Sequence, residues 1–490
     1  MASTLFPQHP SQVSLKNCYI TKPNGLLATK VALNPSMIVN FDLRENLYSP
    51  FMGGTITISD SVNFINSYPI TGGEIIEFEI ETNYTEEPVT WKLIVNSVQV
   101  RLLPDPKKQL YVLKLVSREL PVNETVRINR KLKGNFKKLI LDIVKDDLKS
   151  DKEVFAETSS NQIVKIPSES DSRPFDVISE LTSKFIPKAS KEKNTEKKTI
   201  KKSQSDPSKI RGTAGCFFWE TRRGYNFFSA DALCDIGSSR RFAKDELIAE
   251  QWGPLIESTG NIEVEKVGDT RNQIKSIMFT REIDVMKSLR SGKYATKVIL
   301  FNSGTQEYEE LFYNLSDSWN DMAHLGNQNS YDEIDFSPAG EFNSLNVLTP
   351  TRSMSFIIDH EQFFNEPGIA DPEDDSEPEN PSPTPEHYKY FAAQSSARFD
   401  LLTNQECVIK IHGNPLMCAG DRIEILLQSK LTDALSSTMA LDVESSGIYI
   451  IKELTHNYNM AEGTSGICDT TLRLMRDAYG IESDPSAHGQ

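Results

Sequence analysis

Residues 419–427 read AGDRIEILL, and residues 72–80 read GGEIIEFEI. In each stretch a glycine, Gly420 or Gly73, precedes an acidic residue, and an Ile-Glu pair follows two residues further on. A glycine beside an acid is ordinary turn chemistry, and the apolar residues that follow recur at the spacing of a β-strand. Each stretch therefore predicts a turn that leads directly into a strand.

The segments that follow the two turns also correspond in order. Two alternating segments follow each turn, at residues 91–102 and 110–120 in the first case and 447–458 and 470–480 in the second. The closing segments match in pattern: Leu113-Lys114-Leu115-Val116 answers Leu472-Arg473-Leu474-Met475, and Arg118-Glu119 answers Arg476-Asp477. Three similarities in one order indicate a duplicated small β-barrel, and coincidence among β-hairpins is the alternative.

The N-terminal copy contains two more predicted strands. Residues 37–46 (MIVNFDLREN) and 51–60 (FMGGTITISD) are joined by the short segment LYSP. Together with the segments above they give five strands in the first 120 residues, which favours a closed or nearly closed barrel without exposed edges.

The middle of the chain mixes helices and strands. Residues 135–150 carry apolar side chains at helical spacing, and residues 173–186 resemble them, with Pro174 near the first turn. Residues 216–229 predict a hairpin around Arg222-Arg223-Gly224, because Gly224 can adopt the positive φ of a tight turn. Residues 274–302 predict a strand, a short helix over 282–290, and a strand ending at Phe301.

Composition restricts the class of protein. With 490 residues, 38% of them hydrophobic and 25% charged, the chain can form about three or four globular domains. It contains no apolar run of eighteen residues, so we expect no membrane insertion. No secretory signal is visible, so we expect the protein to assemble in a cytoplasm. The net charge of −16 argues against direct recognition of nucleic acid. The six cysteines form no C-x-x-C pair, so we expect free, mostly buried thiols.

Two segments of biased composition interrupt the pattern. Residues 188–209 carry eight lysines and almost no large apolar side chain, which predicts a solvated linker or long loop rather than a tether to nucleic acid or an anionic surface. Residues 366–387 are acidic and rich in proline, which predicts a second flexible insertion.

The predicted fold is mainly β with some α, comprising two similar small antiparallel β-barrels and an inserted α+β middle region. The expected divisions, in chain order, are a first barrel (13–120), a helical and hairpin region (121–235) with the lysine-rich loop 188–210, a middle β/α region (236–365), the acidic loop 366–387, the closing part of the second barrel (388–480) and a C-terminal tail (481–490).

No catalytic, metal-binding or cofactor-binding residues are predicted. Cys407, His412 and Cys418 suggest a zinc site, but in a strand Cys407 and His412 face opposite sides. His456 has no nucleophile motif near it and is interpreted as a surface or pairing histidine. The carboxylates between Asp371 and Asp375 lie in a proline-rich segment that cannot hold a glycosidase pair at fixed separation.

The C-terminal segments IKIHGNPLMCAGDRIEILL, SGIYIIKELTHNYN and TTLRLMRDAYG resemble the baseplate hub proteins of contractile-tailed bacteriophages and the hub portion of type VI secretion spike proteins. LYSPFMGGTITISDS resembles the first barrel of that family, FFWETRRGYNFFSADAL its middle hairpin, and REIDVMKSLRSGKYATKVILFN the segment that follows. The lysine-rich and acidic segments depart from the family pattern and look like insertions.

The resemblance implies a structural protein without enzymatic activity or cofactor, located in the virion tail baseplate. It implies a homotrimer whose six barrels form a ring between a hexameric tail tube protein and a trimeric central spike protein, surrounded by baseplate wedge proteins. The expected partner-facing residues are Leu47, Tyr48, Pro50, Phe51 and Met52, with a barrel-capping turn as the alternative. Other functions to weigh are a tail-associated hydrolase of cell wall or polysaccharide, and a hub or spike component of a phage-tail-like injection or secretion system.

Overall fold

The computed structural model describes most of the predicted elements. The described residues are 11–22, 29–82, 87–105, 107–130, 132–157, 163–166, 171–187, 213–234, 251–254, 273–281, 284–304, 306–319, 322–325, 349–358, 388–425, 427, 442, 445–462 and 465–478. The loops predicted at 188–210 and 366–387 lie outside these residues, so both expectations stay predictions.

Strands account for most of the regular structure in the described residues. They are β1 (Gln12–Lys22), β2 (Thr29–Ala32), β3 (Ile38–Asn46), β4 (Gly53–Asp60), β5 (Ile75–Thr82), β6 (Val89–Asp105), β7 (Lys108–Val116), β8 (Leu132–Asn135), β9 (Val154–Ala156), β10 (Ile163–Ile166), β11 (Cys216–Thr221), β12 (Gly224–Ser229), β13 (Gln251–Pro254), β14 (Gln273–Arg281), β15 (Ala295–Asn302), β16 (Tyr308–Asn314), β17 (Arg352–Ile358), β18 (Gln405–His412), β19 (Arg422–Ile425), β20 (Gly447–Glu462) and β21 (Ser465–Arg476).

The helices are short. They are α1 (Phe64–Ser67), α2 (Glu119–Thr125), α3 (Phe136–Asp142), α4 (Pro174–Lys184), α5 (Ala230–Cys234), α6 (Val285–Ser291), α7 (Leu315–Ser318) and α8 (Ser395–Leu402). A 3-10 turn spans Pro35–Met37, and π-helical turns span Ile143–Asp147 and Lys389–Gln394. No helix in the described part of the chain is long and apolar enough to cross a membrane.

Two closed barrels share one hairpin. The first barrel follows the order β1-β5-β6-β7-β4-β3 and is closed by β20 and β21, because β3 pairs with β20 and β1 pairs with β21. The second follows the order β19-β13-β14-β18-β21-β20 and closes where β20 pairs with β19. The hairpin of β20 and β21 therefore belongs to both barrels, and one end of each strand contributes to each.

The two barrels have the same internal order of strands. The first contains the run β3-β4-β7-β6-β5, and the second contains the run β14-β18-β21-β20-β19. In both runs the turn at the Gly-acid pair opens the last strand, and the two strands that follow it in sequence come next in the sheet. The predicted duplication and the predicted mainly β fold class are confirmed.

Alternation of apolar and polar residues produces the barrel walls. In β4 and β5 every second side chain is buried, which is the period of a strand with one face on a core. The first core takes residues from both ends of the chain, including Val13, Phe78, Tyr458 and Cys468. Sequence analysis predicted five strands here and omitted β1 and β2, and it did not anticipate that C-terminal strands complete the first barrel.

The middle region contains the predicted helices and hairpin. Helix α4 begins at Pro174 as expected, and α3 begins after Asn135, whose side chain accepts a hydrogen bond of 3.0 Å from the Lys137 N–H. The π-helical turn continues α3, so the predicted helix over 135–150 is present with a local change of pitch. The hairpin β11-β12 pairs with β9 and packs on this helical unit through a separate apolar core.

A smaller three-stranded sheet has the order β16-β15-β17. The strand, helix and strand predicted over 274–302 are β14, α6 and β15. Asp284 caps α6 by accepting a hydrogen bond of 2.9 Å from the Lys287 N–H. One face of the sheet buries Val298 and Leu300 against Ala393 and Ala397 of the neighbouring helical segment.

Candidate functional site at the seam between the barrels

The duplicated turn has the same hydrogen bonds in both barrels. Gly73 donates its N–H to the carbonyl of Val95, and Gly420 donates to the carbonyl of Ile451, each at 2.8 Å. The N–H groups of Val95 and Ile451 return the bond to the residue after each glycine, again at 2.8 Å. Both glycines have positive φ, +85° and +89°, which a residue with a Cβ rarely adopts.

The acid after each glycine has the same local role. Glu74 accepts a hydrogen bond of 2.7 Å from the N–H of Thr71, and Asp421 accepts one of 2.9 Å from the N–H of Cys418. In both cases the donor lies three residues before the acid. The Gly-acid motif is thus a backbone device that fixes how a strand enters the barrel.

The closing strands match in register, with one correction. Leu115 lies opposite Val95, and Leu474 lies opposite Ile451, as the predicted correspondence requires. Continued along both strands, this register makes Ser117 the counterpart of Arg476. The predicted match of Arg118-Glu119 to Arg476-Asp477 is therefore wrong by one residue, because an additional residue, Ser117, lies between the matched strand and the Arg-acid pair.

The barrels are joined at a seam where β20 pairs with β3. Tyr458 lies opposite Phe41 and stacks on it with ring centroids 4.4 Å apart, and Phe41 in turn stacks on Phe78 at 4.8 Å. These contacts extend the first core across the seam. Stacked aromatic side chains that are fully buried make such a junction rigid.

His456 lies on the same strand, two residues before Tyr458. It is fully buried, and its Nδ1 lies 2.8 Å from the Thr470 hydroxyl. Its ring contacts Trp91 edge-to-face at 5.9 Å. Burial lowers the pKa of His456 to about 3, helped by the nearby charge of Arg222. His456 is a pairing histidine as expected, but it is not at the surface.

The hairpin β11-β12 inserts its turn into the seam. The Arg222 N–H donates a hydrogen bond of 2.7 Å to one oxygen of Glu45, and the Ala419 N–H donates one of 2.9 Å to the other oxygen. Glu45 belongs to β3 of the first barrel, whereas Ala419 belongs to the duplicated turn of the second. One buried carboxylate therefore connects the hairpin with both barrels. Burial raises the pKa of Glu45 to about 7, although the two backbone donors act in the opposite direction.

Two further side chains of the hairpin region fix the second barrel. Arg223 forms a bidentate pair with Asp421, with N···O distances of 2.8 and 3.1 Å. Trp219 donates its indole N–H to the Ala419 carbonyl at 2.8 Å. Because Trp219 packs against Gly420, a Cβ there would lie 2.5 Å from the indole ring.

The loop predicted to face a partner lies at this seam. Leu47 and Met52 are both buried. Leu47 lies in the apolar core of the second barrel, and Met52 lies in the core of the first barrel. Tyr48 is 47% exposed and packs edge-to-face on Phe217 at 5.2 Å, and Pro50 and Phe51 are half-buried. Within the chain, Leu47 and Met52 are therefore core residues, and the expectation of a partner-facing surface narrows to Tyr48, Pro50 and Phe51.

A second buried ionic cluster fixes the end of β21. Arg398 donates to Asp477 at 2.9 Å, and the other oxygen of Asp477 accepts the Leu325 N–H at 3.0 Å. His324 Nδ1 also lies 2.8 Å from Asp477. The neighbouring His324 and Arg398 lower the pKa of Asp477, although burial alone would raise it. The cluster binds the closing strand to the α8 segment and to residues 322–325.

The residues considered for metal binding do not converge. Cys407 is buried on the face of β18 that carries Ile409 and Ile411, as predicted. All six cysteines are free and buried, which confirms that expectation. In the described ranges no three histidine, cysteine or acidic side chains are grouped so that they could hold a metal ion.

One pairing that sequence analysis did not consider involves Ser11. Its hydroxyl lies 2.5 Å from Nδ1 of His412 and 3.0 Å from Nζ of Lys275. Lys275 also pairs with Asp469, which is 2.9 Å from Lys410. Ser11 is fully buried, so its hydroxyl connects β1, β14 and β18 rather than presenting a nucleophile to solvent.

Sequence analysis missed Glu45 and the two arginines as members of the seam. Glu45 did carry a signal, because it continues the inward-facing series of Phe41 and Leu43 along β3. An acid in the apolar phase of a strand predicts a buried partner. The identity of that partner could not be read, since Arg222 and Ala419 are far away in sequence.

No protein-family model matches the sequence, and no curated protein matches it significantly. Solved structures do align with most of the chain. The neighbours are phage tail proteins and type VI secretion proteins. The tail protein from Neisseria meningitidis MC58 aligns at 9% identity and a TM-score of 0.46, covering 94% of this chain and 97% of its own. The 43 kDa tail protein of prophage MuSo2 from Shewanella oneidensis aligns at 10% identity and a TM-score of 0.45, covering 94% and 99%.

A third alignment is with the c3393 protein of E. coli, at 9% identity and a TM-score of 0.39, covering 91% of this chain and 76% of its own. That protein is described as a component of the type VI secretion system, with structural similarity to the T4 bacteriophage tail proteins gp27 and gp5.

Proposed function

We propose that this protein is a structural hub of a contractile phage tail baseplate, or of a related injection system, and has no enzymatic activity. Three copies form a ring of six barrels that joins a hexameric tail tube protein on one face to a trimeric central spike protein on the other. Baseplate wedge proteins surround the ring. The chain assembles in the host cytoplasm and belongs to the virion.

The observation that carries this proposal is the same order of strands in two barrels of one continuous sheet. A chain with two similar units can satisfy a sixfold partner with three copies, because each unit occupies one of six similar positions. The sequence resemblance to baseplate hub proteins supplies the identity of the partners.

The seam supports a load-transmitting rather than a catalytic role. Its charged groups, Glu45 and the Arg223–Asp421 pair, are buried and bonded to one another or to backbone. These bonds connect the hairpin to both barrels, and a ring of defined size requires a constant arrangement of its units. Tyr48, Pro50 and Phe51 of the same seam are the proposed contact with a tail partner.

The oligomeric state tests this proposal directly. Native mass spectrometry of the purified full chain should give a trimer, alone or with the spike protein, and electron microscopy of that particle should show six barrels in a ring. A monomer under all conditions, including with the spike present, would exclude the proposed adaptor.

The alternative function is a tail-associated hydrolase of cell wall or polysaccharide, and the Ser11–His412 pair, although buried, is the place to test it. Zymography on peptidoglycan should give no clearing. If clearing is seen and Ser11→Ala abolishes it while an Asn457→Ala control retains it, the protein is an enzyme and the structural proposal is incomplete.

A further inference from the structure

Two strands of the continuous sheet pair with their outer neighbour over only part of their length among the described residues. The run β14-β18-β21-β20-β3-β4-β7-β6 crosses both barrels and has β14 and β6 at its ends. β5 pairs with β6 over Val89 to Ile94, so residues 97–105 of β6 pair with β7 alone among the described strands. β13 pairs with β14 at Gln273 and Ile274, so residues 275–281 pair with β18 alone within the described chain.

These two edges are the counterparts of the strands that meet at the seam. In the shared order, β6 corresponds to β20 and β14 corresponds to β3. Within the chain, β20 of the second barrel pairs with β3 of the first. We propose that β6 of one copy pairs with β14 of the next copy in the same antiparallel manner, so that the contact between chains repeats the contact within the chain.

The internal correspondence also gives the register of this contact. Asn457 lies opposite Asp469, and Leu102 lies opposite Leu110, which is the counterpart of Asp469. Leu102 is therefore the counterpart of Asn457. Asp42 lies opposite Thr55 of β4, and Met278 lies opposite Val408 of β18. Thr55 and Val408 are counterparts because they lie opposite the matched residues Lys114 and Arg473 of the closing strands. Met278 is therefore the counterpart of Asp42. Because Asn457 lies opposite Asp42 at the seam, Leu102 of one copy lies opposite Met278 of the next.

The exposure of these residues fits a contact that is missing in a single chain. Leu102 is 53% exposed and Met278 is 61% exposed, so the predicted pair brings two exposed apolar side chains together. Leu103, the next residue along β6, is also apolar and is 69% exposed. Exposed apolar side chains along an unpaired edge are a template for another strand.

A second copy is the occupant that these edges specify. The two edges differ from each other and match the two sides of the existing seam, which makes a heterologous contact that closes into a ring when the rotation permits. A strand from a tube or spike protein would use one edge and leave the other without a partner. This inference rests on the proposed ring and names the strands that form it.

Cysteine cross-linking tests the register. Residues opposite each other in antiparallel strands have Cα atoms about 4.5–5.5 Å apart, within the range that a disulfide spans. Leu102→Cys and Met278→Cys in one chain should, on mild oxidation, give covalent dimers and trimers in denaturing gels. The six native thiols are buried and do not compete. A Leu102→Cys, Ile357→Cys chain is the matched control and should stay uncross-linked, because Ile357 is 78% exposed on another sheet.

Mixing the single variants makes the result directional. Chains with Leu102→Cys alone should cross-link to chains with Met278→Cys alone, and neither should cross-link to itself. A trimer by native mass spectrometry without any Leu102–Met278 cross-link overturns this inference and leaves the proposed hub intact. A monomer without cross-link overturns both. Open-ended covalent chains without closed trimers support the strand pairing and overturn the trimeric hub.

A charge pair provides a readout that does not depend on oxidation. Leu102→Asp should abolish the trimer, and adding Met278→Lys in the same chain should restore it, because opposite charges lie across the strands. Both positions are exposed, so neither change alters a core. Unchanged assembly with Leu102→Asp would count against the proposed contact.

Discussion

Tyr458 of the second barrel's hairpin stacks on Phe41 of the first barrel, with ring centroids 4.4 Å apart and an interplanar angle of 12°. The two residues are also opposite each other in the strand pairing of β20 and β3. The seam is therefore held by backbone hydrogen bonds and by side-chain packing at the same position. The two barrels therefore share side-chain packing as well as strands.

Loss of the Phe41 ring should weaken the seam. Phe41→Ala removes a side chain that is 2% exposed and in contact with both Tyr458 and Phe78. We expect the free energy of unfolding to fall by about 3–5 kcal/mol, measured by urea denaturation. Val39→Ala is the control on the same strand, since Val39 is 37% exposed and should change stability by less than about 0.5 kcal/mol.

The two duplicated glycines form a matched pair for a second test. Gly73→Ala meets no atom within 4 Å and adds only the strain of positive φ, about 1–2 kcal/mol. Gly420→Ala adds the same strain and a Cβ 2.5 Å from the Trp219 ring, for about 1–3 kcal/mol more. Thermal unfolding should therefore rank Gly420→Ala as clearly less stable than Gly73→Ala. Equal losses would mean that Trp219 moves away at no cost.

Glu45 should make stability depend on pH in a defined direction. Its folded pKa of about 7 lies above the ordinary value of 4.5, so the folded state binds more protons between these values. The contribution of Glu45 to the free energy of unfolding is therefore present in full below pH 4.5 and is lost as the pH rises through 7. The difference in unfolding free energy between the native chain and Glu45→Gln should change across this window by up to about 1.4 kcal/mol per pH unit.

An exposed acid is the control for that titration. Glu81 is paired with Lys16 at the surface, where both side chains are more than 40% exposed. Glu81→Gln makes the same substitution at an exposed site and should change the free energy of unfolding by less than about 0.5 kcal/mol at pH 7. If the difference in unfolding free energy between the native chain and Glu45→Gln stays constant from pH 4.5 to 7, Glu45 titrates as an ordinary carboxyl.

Asp477→Asn should be strongly destabilising. It removes the negative charge that pairs with the buried Arg398. It also turns one carboxylate oxygen into an amide nitrogen, either the oxygen bonded to Arg398 and His324 or the one that accepts the Leu325 N–H. Removing one member of a buried ion pair costs about 3–5 kcal/mol. Limited proteolysis should show faster cleavage of the variant than of the native chain. Glu310→Gln, which alters the half-exposed pair with Lys297, is the control and should be cut at the native rate.

Much of the fold followed from local patterns. The alternation in β4 and β5, the proline at the start of α4 and the turn at Gly224 act over a few residues, so they are visible in a single sequence. The duplication was also visible, because both copies need a positive-φ glycine and an acid that accepts a backbone N–H. The Arg-acid match failed by one residue, since pattern similarity does not fix register.

The mainly β fold class, the two barrel copies and the turns that begin their strands could be predicted from residue patterns, because side-chain period and glycine conformation are local properties. Three features became visible in the folded chain alone: β20 and β21 close both barrels, Glu45 joins Arg222 to Ala419, and Leu47 and Met52 belong to cores. These features depend on contacts between residues that are 65 to 374 or more positions apart, and local patterns do not record such contacts.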